Sequence, residues 1–102
     1  MNSEALRKHL AIKARGWELI GDIYWGDGVA QSYESSWKPD ENIDQAMECI
    51  ETFEWYSICK NDDSYAEPGK PYSCEVGQGV EVGKSKTMAM SLAAAKATGW
   101  VE

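Results

Sequence analysis

The chain has 102 residues, five tryptophans and an apolar fraction of 43%, which suits one packed domain and excludes a disordered chain. Its net charge of −7 opposes contact with phosphate backbones, so we expect no direct nucleic-acid binding. No apolar run approaches the ~20 residues of a membrane span, and the start lacks a secretory signal pattern. The three cysteines cannot all pair within one chain. Together these features favour a cytoplasmic protein with reduced thiols and no membrane contact.

The first predicted element is a helix over residues 3–15, because apolar residues recur there at four-residue spacing. This apolar stripe consists of Leu6, Leu10 and Ala14. Gly16 can take the positive φ that ends a helix, and Trp17 then folds back on the last turn. The same pair recurs as Gly99 and Trp100. We therefore expect both tryptophans to pack at helix ends and not to contact ligands.

Two alternatives stay open for residues 18–38. The stretches "ELIGDIYW" and "VAQSYESSW" can pair as a hairpin around "GDG" at residues 26–28, since such turns favour glycine and aspartate. They can equally form a long, partly ordered loop.

The clearest pattern predicts a helix over residues 42–54. Asn42 and Gln45 resemble a capping box at its start. One face is an apolar stripe for burial, made of Ile43, Ala46, Met47, Ile50 and Phe53. Another face is acidic and is predicted to point outward; it carries Asp44, Glu48 and Glu51.

The sequence period changes after this helix. Residues 55–60 and 72–76 are predicted strands, and residues 80–82 form a third strand or continue the second after a glycine bulge. Residues 87–98, which include an alanine-rich run, are predicted to form the closing helix. The pattern indicates the α+β class in one domain over residues 1–102, with the order α-β-β-(β)-α.

This order of elements is similar to the phage ABA sandwich domain, a family of small phage and prophage proteins. The most specific matching parts are the K-x-x-G-W helix end at residues 13–17 and the Trp-Pro entry to the second helix, "WKPD", at residues 37–40. The alanine-rich closing helix completes the likeness. The resemblance implies a small antiparallel sheet sandwiched between helices in three layers. It also implies an accessory protein that acts in the cytoplasm of the host cell.

A glycine-rich stretch precedes the last helix, "GQGVEVGKS" at residues 77–85. It resembles a phosphate-binding loop, but its glycines do not have the G-x-x-x-x-G-K-S spacing, so we exclude a Walker-type NTPase. A weaker prediction is an anion site at the helix start, formed by Gly83, Lys84, Ser85 and Lys86. The alternative is a glycine-rich turn with solvated lysines.

No catalytic pattern is present in the sequence. His9 is the only histidine, and no acid or cysteine stands at a motif spacing from it. The cysteines are ten and fifteen residues apart, which is not metal-ligand spacing, and we expect buried thiols. We therefore predict no catalytic residue, cofactor or metal, and interpret the chain as a binding protein.

The charge of the chain is concentrated in its middle. Residues 18–67 carry thirteen acidic side chains and two basic ones, and this part either keeps the protein soluble or meets a basic partner. In the first functional hypothesis, the protein inhibits a host defence by occupying a nucleic-acid-binding groove. Its acidic contacts then extend from the second helix to the next loop and include Asp62 and Asp63. Its aromatic anchors are Trp25, Tyr33 and Trp37.

Two further hypotheses remain. In one, a homo-oligomer sequesters a nucleotide or another small phosphorylated signal through the predicted anion site. In the other, the chain is a phage structural or accessory protein whose partners are phage proteins and which has no host target.

Overall fold

Two three-stranded antiparallel sheets and three α-helices account for most of residues 2–60 and 69–101, which the computed structural model describes. In chain order the elements are α1 (Ser3–His9), which continues as a π-helical turn (Leu10–Ala14), β1 (Glu18–Ile20), β2 (Ile23–Gly26), β3 (Val29–Tyr33), a 3₁₀ turn (Glu34–Ser36), α2 (Ile43–Ile50), β4 (Tyr56–Lys60), β5 (Tyr72–Val76), β6 (Gly79–Gly83) and α3 (Lys86–Ala97). The α+β class is therefore confirmed.

Both Gly-Trp pairs end a helix in the predicted way. Gly16 has φ +71° and Gly99 has φ +96°, values that cost glycine little. The amide of Trp17 donates to the carbonyl of Ala11 at 2.9 Å. The amide of Trp100 likewise donates into the last turn of α3, also at 2.9 Å. Such bonds satisfy carbonyl groups that a helix end leaves without a partner.

Residues 18–38 form a three-strand meander, here called the N-terminal sheet. The predicted hairpin joins β2 to β3 through Asp27 and Gly28, whose φ angles are +53° and +76°. Two successive positive φ angles characterise the type I′ turn, which suits the twist of a hairpin. A further strand, β1, pairs with β2 through a turn in which Gly21 has φ +65°. The alternative of a partly ordered loop is wrong.

The second sheet, β4-β5-β6, is covered by α3 on one face. Gly79 and Gly83 are buried at this contact. A Cβ atom on Gly79 would lie 2.2 Å from the carbonyl oxygen of Ala93, so only glycine permits this approach. The helix α2 packs mainly on α3.

The layers differ from the predicted ABA sandwich. The residues of the opposite sheet face are exposed or only partly buried; they are Ser57, Cys59, Ser73, Glu75, Val80 and Val82. Within the described ranges no helix covers this face. The layers therefore run from the second sheet to α3 and from α3 to the other helices.

The second helix is shorter than predicted, and its buried stripe is displaced. The Asn42 side chain caps its start by accepting the Gln45 amide at 3.1 Å. The helix ends at Ile50, where the Thr52 hydroxyl donates to the Cys49 carbonyl at 3.0 Å, a local bond that competes with further helix. Buried residues on the helix are Ala46, Cys49 and Ile50. Ile43, predicted to be buried, is 43% exposed.

One ion pair connects distant parts of the chain. Arg7 on α1 contacts Asp40 through two hydrogen bonds, Nε to Oδ1 at 2.6 Å and a terminal nitrogen to Oδ2 at 2.9 Å. The Asp40 carbonyl accepts the Thr87 hydroxyl at 2.7 Å, at the start of α3. The Trp37 indole donates to the Arg7 carbonyl at 2.9 Å. The segment from Trp37 to Asp40 thereby joins α1 to α3.

The replacement Asp40→Asn tests this connection. We expect it to lower the free energy of unfolding by roughly 2–3 kcal/mol, because it leaves the Arg7 charge without its buried partner. The matched control is Glu41→Gln, since Glu41 is exposed and contacts the same guanidinium at 3.3 Å. We expect a cost below about 0.5 kcal/mol for the control. Urea unfolding measures both, and equal costs would contradict the assigned role of Asp40.

The contact between α3 and the second sheet is tested by Gly79→Ala. We expect a loss of roughly 3 kcal/mol, because the added methyl group meets helix backbone that cannot move aside. The neighbouring Val80→Ala serves as control, since Val80 is 50% exposed. Thermal unfolding compares the two variants. A Gly79→Ala protein as stable as Val80→Ala would show that the helix does not lie this close.

Candidate functional site

The predicted acidic face of α2 exists as a surface. Asp44, Glu48 and Glu51 are all exposed, which agrees with the predicted orientation. Asp62 and Asp63 lie outside the described residues, so the predicted extension of this surface is not tested. Binding of a partner through this face stays a prediction.

The three predicted aromatic anchors have different environments. Trp37 is 1% exposed, and its ring centroid is 4.7 Å from that of Trp17. Its assignment as a surface anchor is therefore wrong, because the indole belongs to the core and its N–H is bonded internally. Tyr33 is 59% exposed, and Trp25 is partly buried. These two side chains are on the same face of the N-terminal sheet.

Strand register places an apolar surface around Tyr33 and Trp25. Ile20 pairs with Ile23, and Ile23 pairs with Tyr33. One step along the sheet, Trp25 pairs with Ala30, with a β-bulge between the two rows. Cross-strand partners share a face, and alternate residues return to it. We call this surface the apolar face; it comprises Ile20, Ile23, Trp25, Ala30 and Tyr33.

The apolar face is open to solvent on its two edge strands, β1 and β3. Ile20 is 56% exposed and Tyr33 is 59% exposed. A shallow cavity of about 230 Å³ lies against Ile23, Ala30 and Tyr33. Exposed apolar side chains that are contiguous are typical of interaction surfaces, whereas single ones need no explanation.

The segment that carries this face is acidic, and we call its exposed carboxylates the acidic border. Every charged side chain between residues 18 and 36 is a carboxylate, and all of them are exposed: Glu18, Asp22, Asp27 and Glu34. An apolar centre with a charged border is the usual organisation of a protein-binding surface. Sequence reasoning identified Trp25 and Tyr33 but missed Ile20 and Ile23. The available signal was Gly21, because a glycine turn there lets residues 18–20 pair with β2 as a further strand.

The glycine and the serine of the predicted anion site are explained by packing and by helix capping. Gly83 is buried, and a Cβ atom there would lie 2.6 Å from the Ala89 amide nitrogen. The Ser85 hydroxyl caps α3 by accepting the Met88 amide at 3.2 Å. Lys84 and Lys86 are exposed. Glycine and serine therefore have packing and capping roles here, and anion binding stays a prediction.

Two of the three thiols and the histidine have environments that oppose reactivity, whereas Cys59, also expected to be buried, is exposed. Burial raises the pKa of Cys49 to about 12 and that of Cys74 to about 11, which suppresses the nucleophilic thiolate. Burial also lowers the pKa of His9, whose Nε2 atom is 2.9 Å from the Thr98 hydroxyl. In residues 2–60 and 69–101, no cluster of three or more His, Cys, Asp or Glu residues could hold a metal ion. Over the same residues, no helix has the length and apolarity to span a membrane.

Comparison with known proteins shows a likeness of fold. The structure is similar to a crystal structure of a phage protein from Bacillus cereus ATCC 14579, with a TM-score of 0.69 and 23% sequence identity. The match covers 95% of this chain and 92% of that chain. No protein-family model matches the chain, and no curated protein matches it. The chain therefore shares the fold of a phage protein, and membership of the ABA sandwich family stays a prediction.

Thiol labelling tests the placement of the cysteines. At about pH 8, a thiol with a pKa near 12 is ionised in only about one molecule in ten thousand. We expect iodoacetamide to modify the exposed Cys59 in the native protein and to leave Cys49 and Cys74 intact. In denaturant all three should react. Intact-mass spectrometry counts the adducts, and rapid modification of two or three native thiols would contradict the packing.

Proposed function

We propose that this chain is a non-enzymatic phage accessory protein that binds a partner protein through the apolar face. The observation that carries the proposal is the contiguous apolar surface on a segment, residues 18–36, whose charged side chains are all exposed carboxylates. The partner that suits it has apolar residues surrounded by lysine or arginine side chains. The fold likeness to a phage protein supports the phage origin of the chain.

The energetics favour the large exposed side chains of the face as the source of affinity. Burial of apolar surface stabilises a complex by roughly 25 cal/mol per Å², and large aromatic side chains are frequent hot spots. Tyr33 meets this description because more than half of it is exposed in the free chain. The carboxylates at the border contribute to the association rate and to partner choice more than to affinity.

The specific form that we propose is inhibition of a host defence protein. A basic partner surface that normally holds nucleic acid presents the charge that the acidic border requires. Occupying that surface would exclude the nucleic acid without any chemical step. Relative to the sequence hypothesis, the contact moves from α2 to the N-terminal sheet, and the anchors become Tyr33 and Ile20.

The alternative functions differ in the partner or in the site. A phage structural or accessory role would use the same face for a phage protein. The sponge hypothesis depends on residues 83–86, where Ser85 is occupied as a helix cap, and no observation favours it further.

Site-specific photocrosslinking tests the binding face directly. A photoreactive phenylalanine analogue replaces Tyr33 in one variant. In the control variant it replaces Val80, which lies in the second sheet. Both are expressed in infected host cells. We expect a defined crosslinked protein from position 33 and none from position 80. Its identification as a host or a phage protein separates inhibition from a structural role.

The identified partner then permits a quantitative prediction. Tyr33→Ala should weaken its binding at least tenfold, as expected for a hot spot worth about 2 kcal/mol, whereas Val80→Ala should leave the affinity unchanged. The association rate should also fall as salt rises, since the border is charged. Equal affinity of the two variants would reject the apolar face as the binding surface.

A further inference from the structure

A second cavity lies on the other side of the N-terminal sheet, between the start of α1 and the segment that follows β3. It has a volume of about 350 Å³, within the size range of small-molecule sites. Its lining residues are Glu4, Arg7, Tyr24, Glu34, Ser35 and Lys38. None of them belongs to the apolar face.

Tyr24 provides a polar group that the fold itself does not satisfy. Its side chain lines the cavity and is only 1% exposed. Within the described part of the chain, its hydroxyl has no protein hydrogen-bond partner, and this oxygen is not fully enclosed, so a ligand in the cavity can reach it. Burial, together with the Glu34 carboxylate, raises the pKa of Tyr24. Tyr24 and Glu34 line the same cavity, so one ligand there can meet both groups.

The charges around the cavity leave an excess of carboxylates. The Arg7 guanidinium is already paired with Asp40 at 2.6 Å and with Glu41 at 3.3 Å. Among the described residues, Glu4 and Glu34 form no ion pair. Lys38 supplies the one other positive charge in the lining. With Arg7 neutralised, two carboxylates stand against one ammonium group.

We propose that this cavity binds an organic cation, an alkylammonium or guanidinium group, between Tyr24, Glu34 and Glu4. Such a cation carries several N–H donors, and the tyrosine oxygen and both carboxylates are acceptors. Hydrogen bonds between charged groups are the strong ones. Binding satisfies the Tyr24 hydroxyl and removes the excess of negative charge at once.

The cation can have two sources with the same chemistry. It is either a free amine of the cell or the head group of a lysine or arginine side chain on a bound protein. The site is argued from the inner cavity and shares only Glu34 with the acidic border of the apolar face, so it does not depend on the proposed function.

A titration with simple ligands tests the chemistry of the site. The protein is titrated with n-butylammonium chloride, sodium butyrate or glycine, and amide chemical shifts are followed by NMR. We expect n-butylammonium to bind with a Kd of about 1–10 mM and to shift Tyr24, Glu34 and Ser35. Butyrate and glycine should cause no such shifts. Tighter binding of butyrate or glycine, or no binding of n-butylammonium up to about 100 mM, would overturn the proposal.

Three variants locate the bound cation. Glu34→Gln should weaken n-butylammonium binding about tenfold, since it removes a charged acceptor. Tyr24→Phe should weaken it about threefold by removing only the hydroxyl. The control is Glu18→Gln, an exposed carboxylate on the apolar side of the same sheet. Because Glu34 is exposed, its replacement keeps the fold, and unchanged binding by that variant would overturn the site.

The source of the cation follows from two further ligands, putrescine and a lysine blocked as its N-acetyl and methylamide derivative. Binding of the blocked lysine at least as tight as that of n-butylammonium assigns the cavity to a side chain of a bound protein. Binding of putrescine without the blocked lysine assigns it to a free amine. Both results support a cation site, whereas failure of all three amines rejects it.

Discussion

The ion pair between Arg7 and Asp40 is the constraint on which the rest of the architecture depends. It fixes α1 against the segment that precedes α2, and the Asp40 carbonyl extends the connection to the start of α3. Asp40 is buried and Arg7 partly so, and desolvation offsets much of the attraction in such a pair, so loss of one partner costs more than the pair itself contributes. Its second consequence is electrostatic. Because Arg7 also lines the inner cavity, pairing with Asp40 removes a positive charge from that cavity and leaves its carboxylates in excess.

Local chemistry made several features predictable from sequence. Gly16 and Gly99 end helices because a positive φ is inexpensive only for glycine, and Asn42 caps α2 because its side chain reaches the Gln45 amide. The strand of residues 72–76 has the predicted bounds, since β-branched and aromatic residues between turn signals identify strands well. The same local logic supports the hairpin at Asp27. These features depend on interactions between residues that are close in sequence.

Features that depend on distant contacts were not predictable. Trp37 and Tyr33 are both aromatic residues in one uncertain segment, and nothing local distinguishes them. Trp37 is buried because the Arg7 carbonyl, thirty residues earlier, accepts its indole N–H, whereas Tyr33 meets no such partner. Ile43 was assigned to the buried stripe by spacing alone, yet the buried residues of the helix include Cys49 and not Ile43. The single helical layer on the second sheet and the inner cavity likewise arise from tertiary packing, which periodicity does not encode.

Strand β2 of the N-terminal sheet contributes residues to two different surfaces. Ile23 and Tyr24 are neighbours in β2, so alternation directs the first to the apolar face and the second to the inner cavity. A slip of one residue in register would exchange the two faces and would destroy both surfaces together. The type I′ turn at Asp27 and Gly28 opposes such a slip at the hairpin end, and the β-bulge between Tyr24 and Trp25 sets the pairing beyond it. The turn thus supports the geometry of both surfaces, and Asp27 also contributes a carboxylate to the acidic border.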